Sequence, residues 1–234
     1  MSDHQLPSLE NDLGYQFKEV GLLQEALQHS SYVNEQHDPV LKDNERLEFL
    51  GDAVLDLVVT HILMKRFPET REGDLSRMRA IIVNESQLAA VAQNLTLGSY
   101  VLLGRGETLS NGQEKTSILA DALEAVIAAV YLDGGLHAVS EVIEKQFSEI
   151  VEGVEERLEA EDFKSRLQEL VQARFKTIPY YKVERESGPD HDKTFEVRLS
   201  VGTFLTTRGR GKSKKAAEQA AASVALRRLQ EEEE

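Results

Sequence analysis

Four carboxylates share the segment NERLEFLGDAVLDLVV (44–59): Glu45, Glu48, Asp52 and Asp56, against a single cation, Arg46. On a helix that turns about 100° per residue they fall within about 80° of one another. Leu47, Leu50, Val54 and Val58 take the opposite face, Phe49, Ala53 and Leu57 one flank, and Leu55 the other. The acids therefore form a strip in a helix that reads as apolar on nearly every side. A second segment, ILADALEAVIAAVYL (118–132), repeats the pattern, with Asp121 and Glu124, three apart, as its only charges.

Burying an unpaired carboxylate is costly, so such acids are protonated, paired with a distant Lys or Arg, or bound to a metal. A hard divalent cation with oxygen ligands neutralises them most directly. Mg²⁺ is the usual ion where phosphate is the substrate, and Mn²⁺ is expected to substitute for it. Such an ion activates a water and stabilises the leaving oxygen of a phosphodiester. A solvated amphipathic face is the better explanation of any one of these acids taken singly, but two strips nearly free of cations favour the metal. A di-iron bundle would need Glu-x-x-His pairs, and none of the six histidines has a Glu three residues before it. Glu72, in REGDLSRMRA (71–80), precedes a helix start that Asp74 or Ser76 could cap, and taken alone it reads as a surface or capping residue.

The elements that must hold these acids are helical. Apolar residues recur at three- and four-residue spacings from Leu9 to about Leu158, which predicts helices near 19–30, 40–66, 74–94, 114–132 and 136–158. EGVEERLEAE (152–161) then ends a helix and begins a solvated acidic tether. Beyond it the period changes. A helix at 162–175 is followed by alternating segments at 180–187, 193–200 and 203–209, and by an Ala-rich helix at 211–229. The expected fold is mainly α: an all-α domain at 1–154, an acidic linker at 155–161, a small α+β domain of α-β-β-β-α order at 162–231, and an acidic tail at 232–234.

Charge separates the two domains. Residues 1–161 hold 12 Lys/Arg and 29 Asp/Glu, whereas residues 162–230 hold 15 and 8. A basic module tied to an acidic one points to a polyanionic partner gripped from one end. The chain has no cysteine, which excludes disulfides and thiolate metal sites and fits the cytoplasm. No signal peptide is visible, and the longest apolar run, AVIAAVYL (125–132), is too short to cross a membrane. Lys212, Lys214 and Lys215 open the last helix, where cations are unfavourable unless an anion lies near.

NERLEFLGD (44–52), EGDLSRMRA (72–80), ILADALEA (118–125) and HSSYVNE (29–35) together resemble the bacterial ribonuclease III family, and the α-β-β-β-α tail resembles its double-stranded-RNA-binding domain. The likeness runs through essentially the whole chain. It implies an endonuclease domain with metal ligands at Glu48, Asp121 and Glu124. Asp52 would act beside them on the attacking water or the metal, and Glu45 and Glu72 would match two further acids of the catalytic valley. Asp56 has no such counterpart and reads as structural. Asn111 stands where the family commonly has glycine. The resemblance also implies minor-groove contacts from Gln168, Gln172 and His191, a homodimer formed through the endonuclease domain, and processing of ribosomal and messenger RNA precursors. The activity implied is Mg²⁺-dependent hydrolysis of double-stranded RNA to 5′-phosphate and 3′-hydroxyl ends. The rivals are a non-catalytic double-stranded-RNA-binding protein on the same scaffold, and a small-nucleotide phosphodiesterase for which the basic domain would have no purpose.

Overall fold

The computed structural model describes residues 6–36, 38–161, 163–189 and 193–231, and the chain divides into two compact units, 1–155 and 156–234. The first unit is built of helices. Short helices α1 (Leu6–Leu13), α2 (Val20–Ala26) and α3 (Ser30–Gln36) precede α4 (Glu45–Arg66), the helix that carries the acidic strip. Two helices, α5 (Glu72–Ile82) and α6 (Glu85–Asn94), occupy the stretch predicted as one. The break has a local cause: Asn84 is extended, and its side chain accepts from Gln87 N, which starts a new helix. After α7 (Arg105–Leu109), α8 runs from Thr116 to Glu152, interrupted by the non-helical backbone of Gly135 (φ 76°), inside the gap expected between 132 and 136.

The core of this unit lies where α8 packs against α2, α4 and α6. Leu47, Val54, Leu55, Val58, Val59 and Leu63 of α4 are buried, as are Leu119, Leu123, Val126, Ile127 and Val130 of α8. By length and composition α8 could span a membrane; here its apolar side chains from Ile118 to Val130 are buried in this packing, while Leu132 and Leu136 are about half exposed. One expectation needs correction. The flank Phe49, Ala53, Leu57 of α4 is not buried: Phe49 is 82% and Leu57 57% exposed. Periodicity marks an apolar face without saying what covers it.

Glycine at position 51 lets α4 and α8 approach to backbone contact. A Cβ built there would stand 1.9 Å from the carbonyl oxygen of Glu124. Asn111, in the loop before α8, takes the left-handed conformation (φ 55°) that glycine adopts freely and asparagine tolerates.

The acidic stretch expected as a tether is instead helical, as α9 (Val154–Glu161). Its Glu and Leu residues are good helix formers, and composition alone does not separate a charged helix from a charged coil. In the second unit α10 (Phe163–Phe175) leads into an antiparallel sheet of β1 (Tyr180–Ser187), β2 (Thr194–Val201) and β3 (Leu205–Gly211), in that order, followed by α11 (Lys214–Glu231). Leu167 and Val171 of α10, Leu199 and Val201 of β2, and Ala221, Ala225 and Leu226 of α11 form one core. Gly209 and Gly211 again permit close approach, since a Cβ on either would strike the backbone of α11.

Gly51→Ala tests the helix contact. In an open helix the change would stabilise by about 0.5–1 kcal/mol. Here it should destabilise the protein by about 3 kcal/mol through overpacking, a fall of roughly 6–12 °C in the thermal midpoint. A rise in the midpoint would refute the contact.

Candidate functional site

The Gly51–Glu124 contact sets the geometry of the acids. Glu48 and Asp52 flank Gly51 on α4, and Asp121 lies one turn before Glu124 on α8. As the backbones close, Glu48, Asp121 and Glu124, all half-buried, bring one carboxylate oxygen each to within 4.8 Å of one another. Three oxygens so placed fit the hard donor set of a divalent cation.

The electrostatics agree with the crowding. Burial, then the negative charges of Asp52, Glu48, Asp121 and Asp56, push Glu124 from its ordinary 4.5 up to about 8. Burial followed by Asp121, Glu45 and Asp52 raises Glu48. Burial and then Glu85 raise Asp121, with His29 acting in the opposite direction. Every influence on Glu124 disfavours its charge, so a cation has the most to gain there.

Asp52 and Glu45 are exposed at the rim, close enough to Glu48 to raise it. Glu72 is not gathered into this group. It opens α5 and lines a cleft with Thr60, Met64, Leu75, Ser76 and Arg79. Asp56 faces Arg79, whose Nε lies 3.7 Å from its carboxylate, and the same guanidinium donates to Thr60 Oγ1 at 3.1 Å. That pair joins α5 to α4.

Two nearby residues escape sequence reasoning. Glu85 begins α6, and no spacing in the chain ties it to Asp121. His29 sits on a segment fastened to the loop before α7: His29 N donates to Leu102 O, and Leu102 N to Leu27 O. Its Nδ1 accepts from Ser31 N at 3.2 Å, and Ser31 Oγ accepts from Gly104 N at 2.9 Å. A third residue, Gly51, did leave a sign, because a glycine inside an apolar helix costs stability and so asks for a packing reason.

In the second unit Gln168 and Gln172 are exposed on α10, four residues apart. Lys212, Lys214 and Lys215 are exposed around the start of α11, where Ser213 Oγ accepts from Ala216 N as a cap. His191 lies outside the described residues.

Comparison with known proteins converges on one group. A family model described as ribonuclease-III-like matches residues 19–150, and one described as the double-stranded RNA binding motif matches 163–229. The Ribonuclease 3 of Syntrophobacter fumaroxidans is 52% identical over 225 residues, covering 94% of this chain and 93% of the relative. The chain belongs to the ribonuclease III family. Two solved structures of the ribonuclease III nuclease domain from Campylobacter jejuni resemble its first part. One is 42% identical with a TM-score of 0.58, covering 64% of this chain and 96% of that one. The other is 44% identical with a TM-score of 0.56, covers 62% and 99%, and is described as flexible in a region involved in dimer formation. Ribonuclease III enzymes depend on a metal, and the carboxylate trio of this chain is a group that could bind one.

The raised Glu124 predicts a pH dependence with a definite sign. Between 4.5 and about 8 the folded protein keeps a proton that the unfolded chain has lost. The stability this group contributes is therefore present at low pH and falls as pH rises through that window. In chelator, the wild-type midpoint should drop relative to that of Glu124→Gln as pH is raised. At the alkaline end a divalent cation at one hundred times its Kd should restore about 2.7 kcal/mol to the wild type, and less to the variant. Parallel curves with and without the cation would show that the acids do not share an ion.

Proposed function

We propose that this ribonuclease III family member is a Mg²⁺-dependent endoribonuclease of double-stranded RNA, with Glu48, Asp121 and Glu124 as its metal ligands. The observation that carries this reading is the meeting of three half-buried carboxylates within 4.8 Å, in the same chain as a double-stranded-RNA-binding motif. The hard oxygen donors suit Mg²⁺, with Mn²⁺ as the natural substitute. When bound, the ion would polarise a phosphate oxygen and lower the pKa of a water.

The chain's own residues supply the rest. Asp52, exposed beside Glu48, holds the attacking water by accepting its hydrogen bond. Glu45, one turn earlier on the same strip, accepts from the hydration shell around the site. Glu72 stands farther off, and in a single chain its carboxylate serves the valley through the field it adds rather than by contact. The water oxygen bonds to phosphorus as the bond from phosphorus to O3′ breaks. The products are a 5′-phosphate and a 3′-hydroxyl.

A-form RNA is read through its shallow minor groove and its phosphates. Gln168 and Gln172 suit 2′-hydroxyls, and Lys212, Lys214 and Lys215 suit phosphate. His191 remains a proposed minor-groove contact. Two cuts on opposite strands need two sites related by a two-fold axis, which a homodimer supplies. The exposed stripe Phe49, Ala53, Leu57 on α4 is an apolar surface of the kind a second copy would cover. Bacterial relatives and a cysteine-free chain fit a cytoplasmic enzyme that processes ribosomal and messenger RNA precursors.

A long RNA duplex should be cut with Mg²⁺ and left intact in chelator; an intact duplex with Mg²⁺ would sink the proposal. Glu124→Gln should slow cutting roughly 10²–10⁴-fold, the scale of several kcal/mol of lost transition-state stabilisation. Its duplex affinity in chelator should match the wild type. Replacing Lys214 and Lys215 by Gln should weaken binding to all duplexes alike and reduce the salt slope by roughly 0.9 for each phosphate no longer neutralised. An unchanged slope would place the grip elsewhere.

A further inference from the structure

Strand β1 does not keep one alternation along its length. Val183 opposes Val197, but Arg185 opposes Glu196, so Glu184 is an extra residue on this strand. Such a bulge shifts the phase of the pleat and re-aims the side chains beyond it. On β2 the odd-numbered residues Val197, Leu199 and Val201 are buried under the helices. Glu184 points to the other face, where it pairs with Arg198 at 3.1 Å and Arg208 at 2.8 Å. An unbroken strand would send Glu186 to that face as well. With the bulge, Glu186 instead opposes Phe195, and Phe195 opposes Gly211. The three form one row across the sheet on the helix side.

That row ends beneath the start of α11. Gly211 has no side chain, so the backbone of Ala216 and Ala217 comes down onto β3. Lys214 is thereby carried across the row. Its Nζ lies 5.7 Å from the centre of the Phe195 ring and 3.4 Å from Glu186 Oε1. The ion pair is partly exposed, with side-chain exposures of 61% for Lys214 and 46% for Glu186.

We propose that Glu186 is an internal competitor for RNA phosphate: its carboxylate occupies Lys214 in the free protein and sets the affinity of the basic domain for duplex RNA. This inference rests on the reading of Lys214 as a phosphate contact. A phosphate engaging Lys214 displaces the carboxylate and gains only the difference between two anionic partners. The bulge is what makes the competition possible, because only the shifted phase places a carboxylate on the same side as the helix start. The pair also spares the free protein a bare cation at a helix N-terminus.

The test is a double-mutant cycle on the full chain, binding a fluorescein-labelled RNA duplex in chelator at fixed salt, with circular dichroism to confirm folding. Glu186→Gln should tighten binding about 1.5- to 5-fold, the span expected of an exposed ion pair. Lys214→Gln should weaken it, and adding Glu186→Gln to that variant should bring no gain. No tightening by Glu186→Gln alone would overturn the inference. An equal gain in both backgrounds would also overturn it, since the carboxylate would then act by general repulsion of RNA. If Lys214→Gln binds as the wild type does, Lys214 is no phosphate contact, and both readings fall together. A weaker Lys214→Gln with an equal Glu186→Gln gain in both backgrounds removes this inference alone.

Discussion

The close approach of α4 to α8 at Gly51 governs the acidic unit. With no side chain at that position, the peptide of Glu124 lies against the other helix. Any larger residue would part the helices, and the carboxylates of Glu48, Asp121 and Glu124 would separate with them. The same approach that assembles the trio also crowds and desolvates it, which is why Glu124 and Glu48 hold their protons more tightly than free glutamates. Apolar packing around Val54, Leu55, Leu123 and Ile127 supplies the free energy that holds this arrangement against repulsion. Stability is lower at an arrangement whose value lies in binding an ion.

The parts legible in the sequence were those encoded by short-range spacing. The strip Glu45, Glu48, Asp52 follows from helical period, as does the pair Asp121 and Glu124, and the shift to alternation after residue 175 marks the second fold class. The misjudged parts depended on partners distant in sequence or absent from the chain. Phe49 and Leu57 match the apolar pattern of core residues, and periodicity does not reveal that no described element of this chain covers them. The stretch 74–94 reads as one helix because nothing in its apolar spacing shows that Asn84 caps a second one. Residues 154–161 have the charge of a tether and the propensities of a helix, and propensity prevailed. Glu85 reaches the neighbourhood of Asp121 only because α6 packs on α8.

The RNA-binding unit shows how a one-residue irregularity can matter more than a whole strand. YYKVERES alternates well enough to announce a strand, yet alternation alone does not reveal where its phase slips. The slip at Glu184 decides which face Glu186 occupies, and with it whether Lys214 has a partner before RNA arrives. Gly209 and Gly211 complete the arrangement by letting α11 lie directly on β3.

The two units thus treat charge in opposite ways. The acidic unit concentrates carboxylates with little local relief: Arg79 meets Asp56 and His29 eases Asp121, but every influence on Glu124 disfavours its charge at the point where a small cation can enter. The basic unit pairs its cations internally: Arg198 and Arg208 with Glu184, Arg210 with Glu196, Lys214 with Glu186. The difference follows from the ligands. A divalent ion delivers two charges to one point and can reward a strained site with the full relief of its repulsion. A duplex spreads its charge over many phosphates, each exchanged for a counterion or an internal partner, so no single contact need be strong. Internal pairing at these cations keeps their individual gains small and makes the grip depend on several phosphates engaging together.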